Sequence, residues 1–205
     1  MKTKCSSRMK ALLLVLAMVL SLFCVSIGTA HPRFTDVPDS FWASKEIAWA
    51  VDKGVVNGTS ATTFSPNDKT LRGQMTAILY RYAGEPAVSG ASSFSDVKAS
   101  IYYANAASWA QKNNILISTV SGSNKFLGDT PISRAEFCAM VYNYAGYKSI
   151  DRKTASAAPF SDVKGLSSEL RAAINWAYAN GIVNGVDKTH FSPDSTLTRA
   201  HSVEM

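Results

Sequence analysis

Apolar positions along residues 34–205 recur in short stretches at spacings of three and four. One stretch is Ile47, Ala50 and Val51 around Trp49, and another is Met75, Ile78, Leu79 and Tyr82. Phe137, Val141 and Tyr144 form a third, and Ile174, Ala177 and Tyr178 around Trp176 form a fourth. Such spacing lines one face of a helix. Polar segments separate the stretches. Two of them, Phe64-Ser65-Pro66-Asn67-Asp68 and Phe191-Ser192-Pro193-Asp194-Ser195, set Pro before Asn or Asp, as a tight turn favours. The pattern predicts helix–loop–helix units. The second helix of a unit starts around Ser133 and Thr198. Ser133-Arg134-Ala135-Glu136 reads as a capping box, with the hydroxyl at the N-cap and the carboxylate three residues on.

The units are copies of one another. Phe-x-Asp-Val occurs at 34–37, 94–97 and 160–163, followed by Trp49, Trp109 and Trp176. Gly54, Asn114 and Gly181 each lie five residues after the Trp, and these residue types end helices in the left-handed conformation. Phe64, Phe126 and Phe191 are each followed eight residues later by Arg72, Arg134 and Arg199. The first two copies continue to Tyr80 and Tyr142 and then to Ala-Gly at 83–84 and 145–146. The units run over 31–84, 94–146 and 160–205, with linkers at 85–93 and 147–159 enriched in Ala, Ser, Lys and Pro. An isolated pair of helices of ~12 residues is marginal in water, so three pairs are expected to share a core. The three Trp residues share the apolar register and are assigned to that core. The third copy holds only six residues after its Arg, and is expected to fray or to lean on a neighbour.

Residues 1–30 differ from the rest. A basic start ending at Lys10 precedes the apolar run Ala11–Val25, and Gly28 and Ala30 stand where small residues precede a cut. This reads as a secretory signal peptide cleaved after Ala30, leaving His31 first and no membrane anchor, since the run of 15 is shorter than the ~20 residues of a spanning helix. The formal charge of +6 is mostly the leader's, because Lys2, Lys4, Arg8 and Lys10 stand there without an acid. The remaining 17 basic and 15 acidic residues do not make a nucleic-acid binder. Cys5 and Cys24 leave with the leader. Cys138, amid Phe137, Ala139, Met140 and Val141, reads as a small buried thiol. One Cys and the scattered His31, His190 and His201 give no metal-ligand spacing, and no cofactor is expected.

The combination of Phe-x-Asp-Val, Trp-Ala, Gly54-Val55-Val56-Asn57-Gly58 (Gly181-Ile182-Val183-Asn184-Gly185), Phe-x-Pro-(Asn/Asp) and Ser/Thr-Arg-Ala-Glu resembles the S-layer homology domain. The likeness covers nearly all of residues 34–205. It implies an all-α fold of three helix–loop–helix repeats in a pseudo-three-fold assembly, the third incomplete at its C-terminal end. It also implies an exported bacterial protein at the cell wall or S-layer, bound non-covalently to secondary cell-wall polysaccharide. The implied ligand group is a pyruvate ketal, held in grooves between repeats by the Arg of the Ser/Thr-Arg-Ala-Glu motif. Carried over by position, the binding candidates are Arg72, Arg134 and Arg199, with Ser133, Glu136, Thr198, Gly58, Gly185 and Trp42.

Physical chemistry supports an anion at these places. The first turn of a helix has unpaired N–H groups and partial positive charge, so an Arg there asks for a negative partner. A guanidinium fork suits a carboxylate. The alternative is an internal clamp, each Arg pairing with Asp36, Asp96, Asp162 or Glu136. The three Asp residues themselves read as structural caps or Asx turns. Tyr102, Tyr103 and Trp42 are sugar-stacking candidates, Trp42 the better. The second copy alone keeps the hydroxyl–Arg–acid set, which ranks Arg134 first. The first copy has Leu71-Arg72-Gly73-Gln74, and the third has Thr198-Arg199-Ala200-His201. The second copy also departs at Asn114-Ile115-Leu116-Ile117-Ser118 and at Gly128-Asp129. No catalytic motif stands out, so the expected function is a non-catalytic wall anchor. The alternatives are an exported assembly protein that self-associates through its open third repeat, or a fragment of a larger wall enzyme.

Overall fold

The computed structural model describes residues 34–153 and 156–204. The leader with Cys5, Cys24, the cut after Ala30 and His31 lies outside the described residues. The described residues form six α-helices and no named strand. They are α1 (Ser44–Asp52), α2 (Arg72–Tyr82), α3 (Ala104–Lys112), α4 (Ser118–Ser121), α5 (Arg134–Tyr147) and α6 (Ser168–Ala179), followed by a single 3-10 turn, η1 (His201–Val203). The all-α reading holds. Among the described residues, the helix expected from Thr198 is only that turn.

Local signals place the helix ends. Ser133 Oγ accepts from the Glu136 N–H at 3.1 Å to start α5, and Ser167 Oγ accepts from the Leu170 N–H at 3.3 Å to start α6. The left-handed residues after α1, α3 and α6 are Gly54 (φ 67°), Asn114 (φ 53°) and Gly181 (φ 70°), as the spacing predicts.

The second helix of each repeat packs on the first helix of the next: α2 on α3, α5 on α6, and η1 on α1. Tyr80 of α2 meets Trp109 at 5.6 Å and Tyr142 of α5 meets Trp176 at 5.7 Å. At the hub, backbone hydrogen bonds run in a ring. Thr70 N–H donates to Leu197 O, Leu197 N–H to Ile132 O, and Ile132 N–H to Thr70 O. One core joins α2 through α6, while the core under α1 includes Ala200 and Val203 of the third repeat. The last segment therefore leans on repeat one.

Three corrections follow. Trp109 and Trp176 are core residues under Tyr80 and Tyr142, but Trp49 is 45% exposed, with no ring in the equivalent position among the described residues. Tyr103 is buried, not a surface ring. It fills a slot open only because Gly73 and Gly128 carry no side chain, since a Cβ at either would collide with its ring. The Asp residues of Phe-x-Asp-Val are structural, yet they cap no helix. Asp36 accepts from the N–H groups of Phe64 and Ser65 at 2.9 and 2.7 Å. Asp96 does the same for Phe126 and Leu127, and Asp162 for Phe191 and Ser192. The second residue of each pair has positive φ (57°, 54° and 58°), so each carboxylate fixes a turn that L-residues resist.

Burial pushes these three carboxyls up, but the backbone N–H donors outweigh it and leave each pKa below the usual carboxylate value. A folded pKa below the unfolded one contributes stability that is present above the unfolded value and lost as pH falls through the folded one. Thermal midpoints should therefore hold from neutral pH to about 5 and drop below about 4. Asp162→Asn should flatten part of that acid slope in melts taken across the range, and an unchanged slope would remove the carboxylate from this role.

Candidate functional site

Each motif Arg reaches from its own repeat to the Phe loop of the next. Arg134 Nε donates to Phe191 O at 2.9 Å and Nη2 to Asn184 O at 2.6 Å, with the guanidinium 4.4 Å above the Phe191 ring. Arg199 repeats this on repeat one. Its Nε donates to Phe64 O and its Nη2 to Asn57 O, both at 2.9 Å, and it lies 4.6 Å above the Phe64 ring. Arg72 is different. Its Nη1 donates to Phe126 O at 2.8 Å and to Leu127 O at 3.1 Å, while Nε and Nη2 form a fork onto Glu136, Nη2 at 3.1 Å. Repeat two lacks the Asn-Gly turn of the other two, and the Glu136 carboxylate takes the position that an Asn carbonyl takes elsewhere.

Both expected uses of these residues are thus redistributed. Glu136 completes no capping box with Ser133 and does not serve Arg134; it neutralises Arg72 across the repeat boundary, and both side chains are buried. The first-turn N–H groups are not free. Those of Arg72 and Gly73 bond Thr130 O and Gly128 O, those of Arg134 and Ala135 bond Ser195 O and Pro193 O, and those of Arg199 and Ala200 bond Asp68 O and Pro66 O. The anion site expected from helix ends alone is filled by backbone carbonyls.

Donors remain on two guanidiniums. Among the described residues, Nη1 of Arg134 and Nη1 of Arg199 have no hydrogen-bond partner. Burial draws the pKa of each below the usual guanidinium value, and both stay cationic at neutral pH. Arg199 opens onto a cleft of about 280 Å³ bordered by Asn57, Gly58, Gln74, Arg81 and Tyr102. No carboxylate lines it. Sequence reading missed Arg81 and Gln74. The available signal was their separation of seven on α2, two turns along one face. Thr198 Oγ1 lies 2.7 Å from His201 Nδ1, and the exposed Trp42 ring stands 4.9 Å from the His201 ring.

Gly58 and Gly185 have a packing reason to be glycine. A Cβ would sit 2.5 Å from Phe34 Cε1 in one and 2.5 Å from Phe160 Cε1 in the other. Gly58→Ala should cost about 1–3 kcal/mol of stability by urea titration, as overpacking does; a neutral result would leave Gly58 as a cleft residue without a packing role. Cys138 is fully buried, and burial pushes its thiol up to about 12, so it is no thiolate at neutral pH. Among the described residues, no helix is long and apolar enough to cross a membrane, and no His, Cys, Asp or Glu cluster has the geometry of a metal site.

Residues 33–76, 93–138 and 159–201 each match the family model of the S-layer homology domain, together more than half of the chain. The chain is 31% identical over 170 residues to an amylopullulanase of Thermoanaerobacterium thermosulfurigenes, covering 82% of this chain and 9% of that protein. It is 27% identical over 221 residues to an endoglucanase of Bacillus sp. (strain KSM-635), covering 100% of this chain and 22% of that one. It is 24% identical over 180 residues to an S-layer protein of Bacillus licheniformis, covering 87% of this chain and 20% of that protein. The chain thus spans less than a quarter of the length of each of these relatives.

Proposed function

The chain belongs to the S-layer homology family, whose domains serve anchoring at the bacterial cell surface, and we propose that it is a non-catalytic anchor that binds an acidic secondary cell-wall polysaccharide through the cleft at Arg199. The observation that carries this reading is that cleft's chemistry: two guanidiniums, a Gln amide and a Tyr ring, with no carboxylate among them. A guanidinium with unused donors, shielded from water, gains a charge-assisted fork when a carboxylate enters. Arg81 adds a second cation at the rim and Tyr102, which is exposed, adds a face for a sugar ring. A pyruvyl carboxylate on an amino sugar fits these needs.

The three grooves are unequal under this reading. Arg199 is the principal site. Arg134 has the same tether and the same spare Nη1, and serves as the second. Arg72 is satisfied by Glu136 and takes no ligand. Sedimentation of the purified chain with wall polysaccharide tests this. The chain should pellet with the glycan, and Arg72→Lys should leave the bound fraction unchanged at a concentration where the protein stays folded. Failure of the wild type to pellet would end the proposal.

A further inference from the structure

A cleft of about 260 Å³ lies between the linker 85–93 and α3, and Val88, Ser92, Val97, Ala104, Asn105 and Ser108 are among its walls. No charged side chain lines it, and it shares no lining residue with the cleft at Arg199. Repeat three supplies the comparison, because its linker is tied to α6 as this one is tied to α3. Counted back from Trp109 and Trp176, Asn105 and Ser108 correspond to Ala172 and Asn175; counted back from Phe94 and Phe160, Ser92 corresponds to Ala158. In repeat three the Asn175 side chain spans the gap, its Oδ1 accepting from the Ala158 N–H at 2.9 Å. In repeat two Ser108 is shorter, and its Oγ donates to Gly90 O at 2.9 Å. The space that the longer side chain takes in repeat three is left open.

Among the described residues, two buried polar side-chain atoms have no hydrogen-bond partner, Ser92 Oγ and Trp109 Nε1. Repeat three has neither defect: the Trp176 indole donates to Asp151 O at 3.2 Å, and Ala158 carries no hydroxyl. A buried hydroxyl left without a partner is costly, and an acceptor entering the cleft would relieve it. Asn105 is exposed at the rim, and its amide makes no hydrogen bond within the described residues.

We infer that this cleft binds the acetamido group of an N-acetylated amino sugar. The lining selects that group. Its polar members, Ser92, Asn105 and Ser108, are uncharged, so an ion would enter without a counter-charge. Val88 and Val97 offer an apolar wall to a methyl group. Ser92 Oγ needs only a turn about χ1 to donate to a carbonyl oxygen in the cleft, and the Asn105 amide can accept from the acetamido N–H. Methyl, acceptor and donor are all joined to the one carbonyl carbon of an acetamido group. A plain hexose brings no methyl to bury. The volume is small for a ligand pocket and suits one sugar unit. The site stands whether or not the Arg199 cleft takes an acid.

The test titrates the full chain, isotope-labelled for amide NMR, with the methyl glycoside of N-acetylglucosamine. The amides of Gly90 and Ser92 and the side-chain amide of Asn105 should shift saturably, and methyl glucoside should not move them. Ser92→Ala should weaken binding about fivefold or more, the worth of one hydrogen bond, without lowering the thermal midpoint. Ser108→Asn, which installs the residue that repeat three already packs at this place, should abolish binding. Arg199→Lys should leave it unchanged. No saturable shift, equal shifts with methyl glucoside, or wild-type binding by both Ser92→Ala and Ser108→Asn overturns the inference. Loss of binding in Arg199→Lys but not in Ser92→Ala would put the sugar in the other cleft and overturn it too, while leaving the reading of that cleft intact. Tighter binding of N-acetyl-lysine methylamide would assign the pocket to an acylated peptide and overturn it as well.

Discussion

Glu136→Ala should lower folding stability by about 3–5 kcal/mol, the range for removing one partner of a buried ion pair. Arg72 has 9% of its side chain exposed, and its one acidic partner among the described residues is Glu136, at 8%. Truncation leaves the guanidinium in the wall between repeats one and two with two donors unmet. Two backbone carbonyls cannot offset a stranded charge. Urea titration should show a lower midpoint with an unchanged slope. Replacing both members by apolar residues of like volume, Arg72→Met with Glu136→Leu, should return most of the loss, since a buried pair is often no better than good apolar packing. A Glu136→Ala cost below about 1 kcal/mol would mean that water reaches the pair, as at exposed salt bridges.

The second large effect concerns the ligand. Arg199→Lys should reduce affinity for acidic wall polysaccharide at least tenfold, about 1.4 kcal/mol, because lysine keeps the charge but loses the planar fork. Arg199 also ties repeat three to Phe64 and Asn57, so a drop in binding could reflect a loosened loop. Arg81→Ala separates the two causes. Its internal contact is a loose ion pair with exposed Glu85 at 3.9 Å, so thermal stability should hold while affinity falls several-fold and its salt dependence flattens. Arg81→Ala with wild-type affinity and wild-type salt dependence would take the second cation out of the site.

Repeats, helices and turns were legible because they rest on local signals. The apolar spacing of α1, α2, α5 and α6, the left-handed residue after each Trp helix and the Pro turns all act within a few residues of where they stand. The use made of the arginines was not legible. Their partners are 50 to 142 residues away, brought close only when the repeats close into a ring. Glu136 looked local to Arg134 and is spent on Arg72. Trp49 shared the apolar register of Trp109 and Trp176, but burial depends on the next helix around the ring, which its own segment does not encode. One part could have been read as a set. Gly73 and Gly128 depart from the repeat pattern in the same copy interface where Tyr103 stands in place of the small Ala43. Two lost side chains beside one gained ring are the mark of a filled slot.

The most direct measurement is the affinity of the chain for one wall polysaccharide prepared with its acidic substituents and after their removal. Saturable binding to the acidic form, weakened at least tenfold by stripping the acid and equally by Arg199→Lys, is the expected result. Equal affinity for both forms, or binding that Arg199→Lys leaves intact, would contradict recognition of a carboxylate in the cleft.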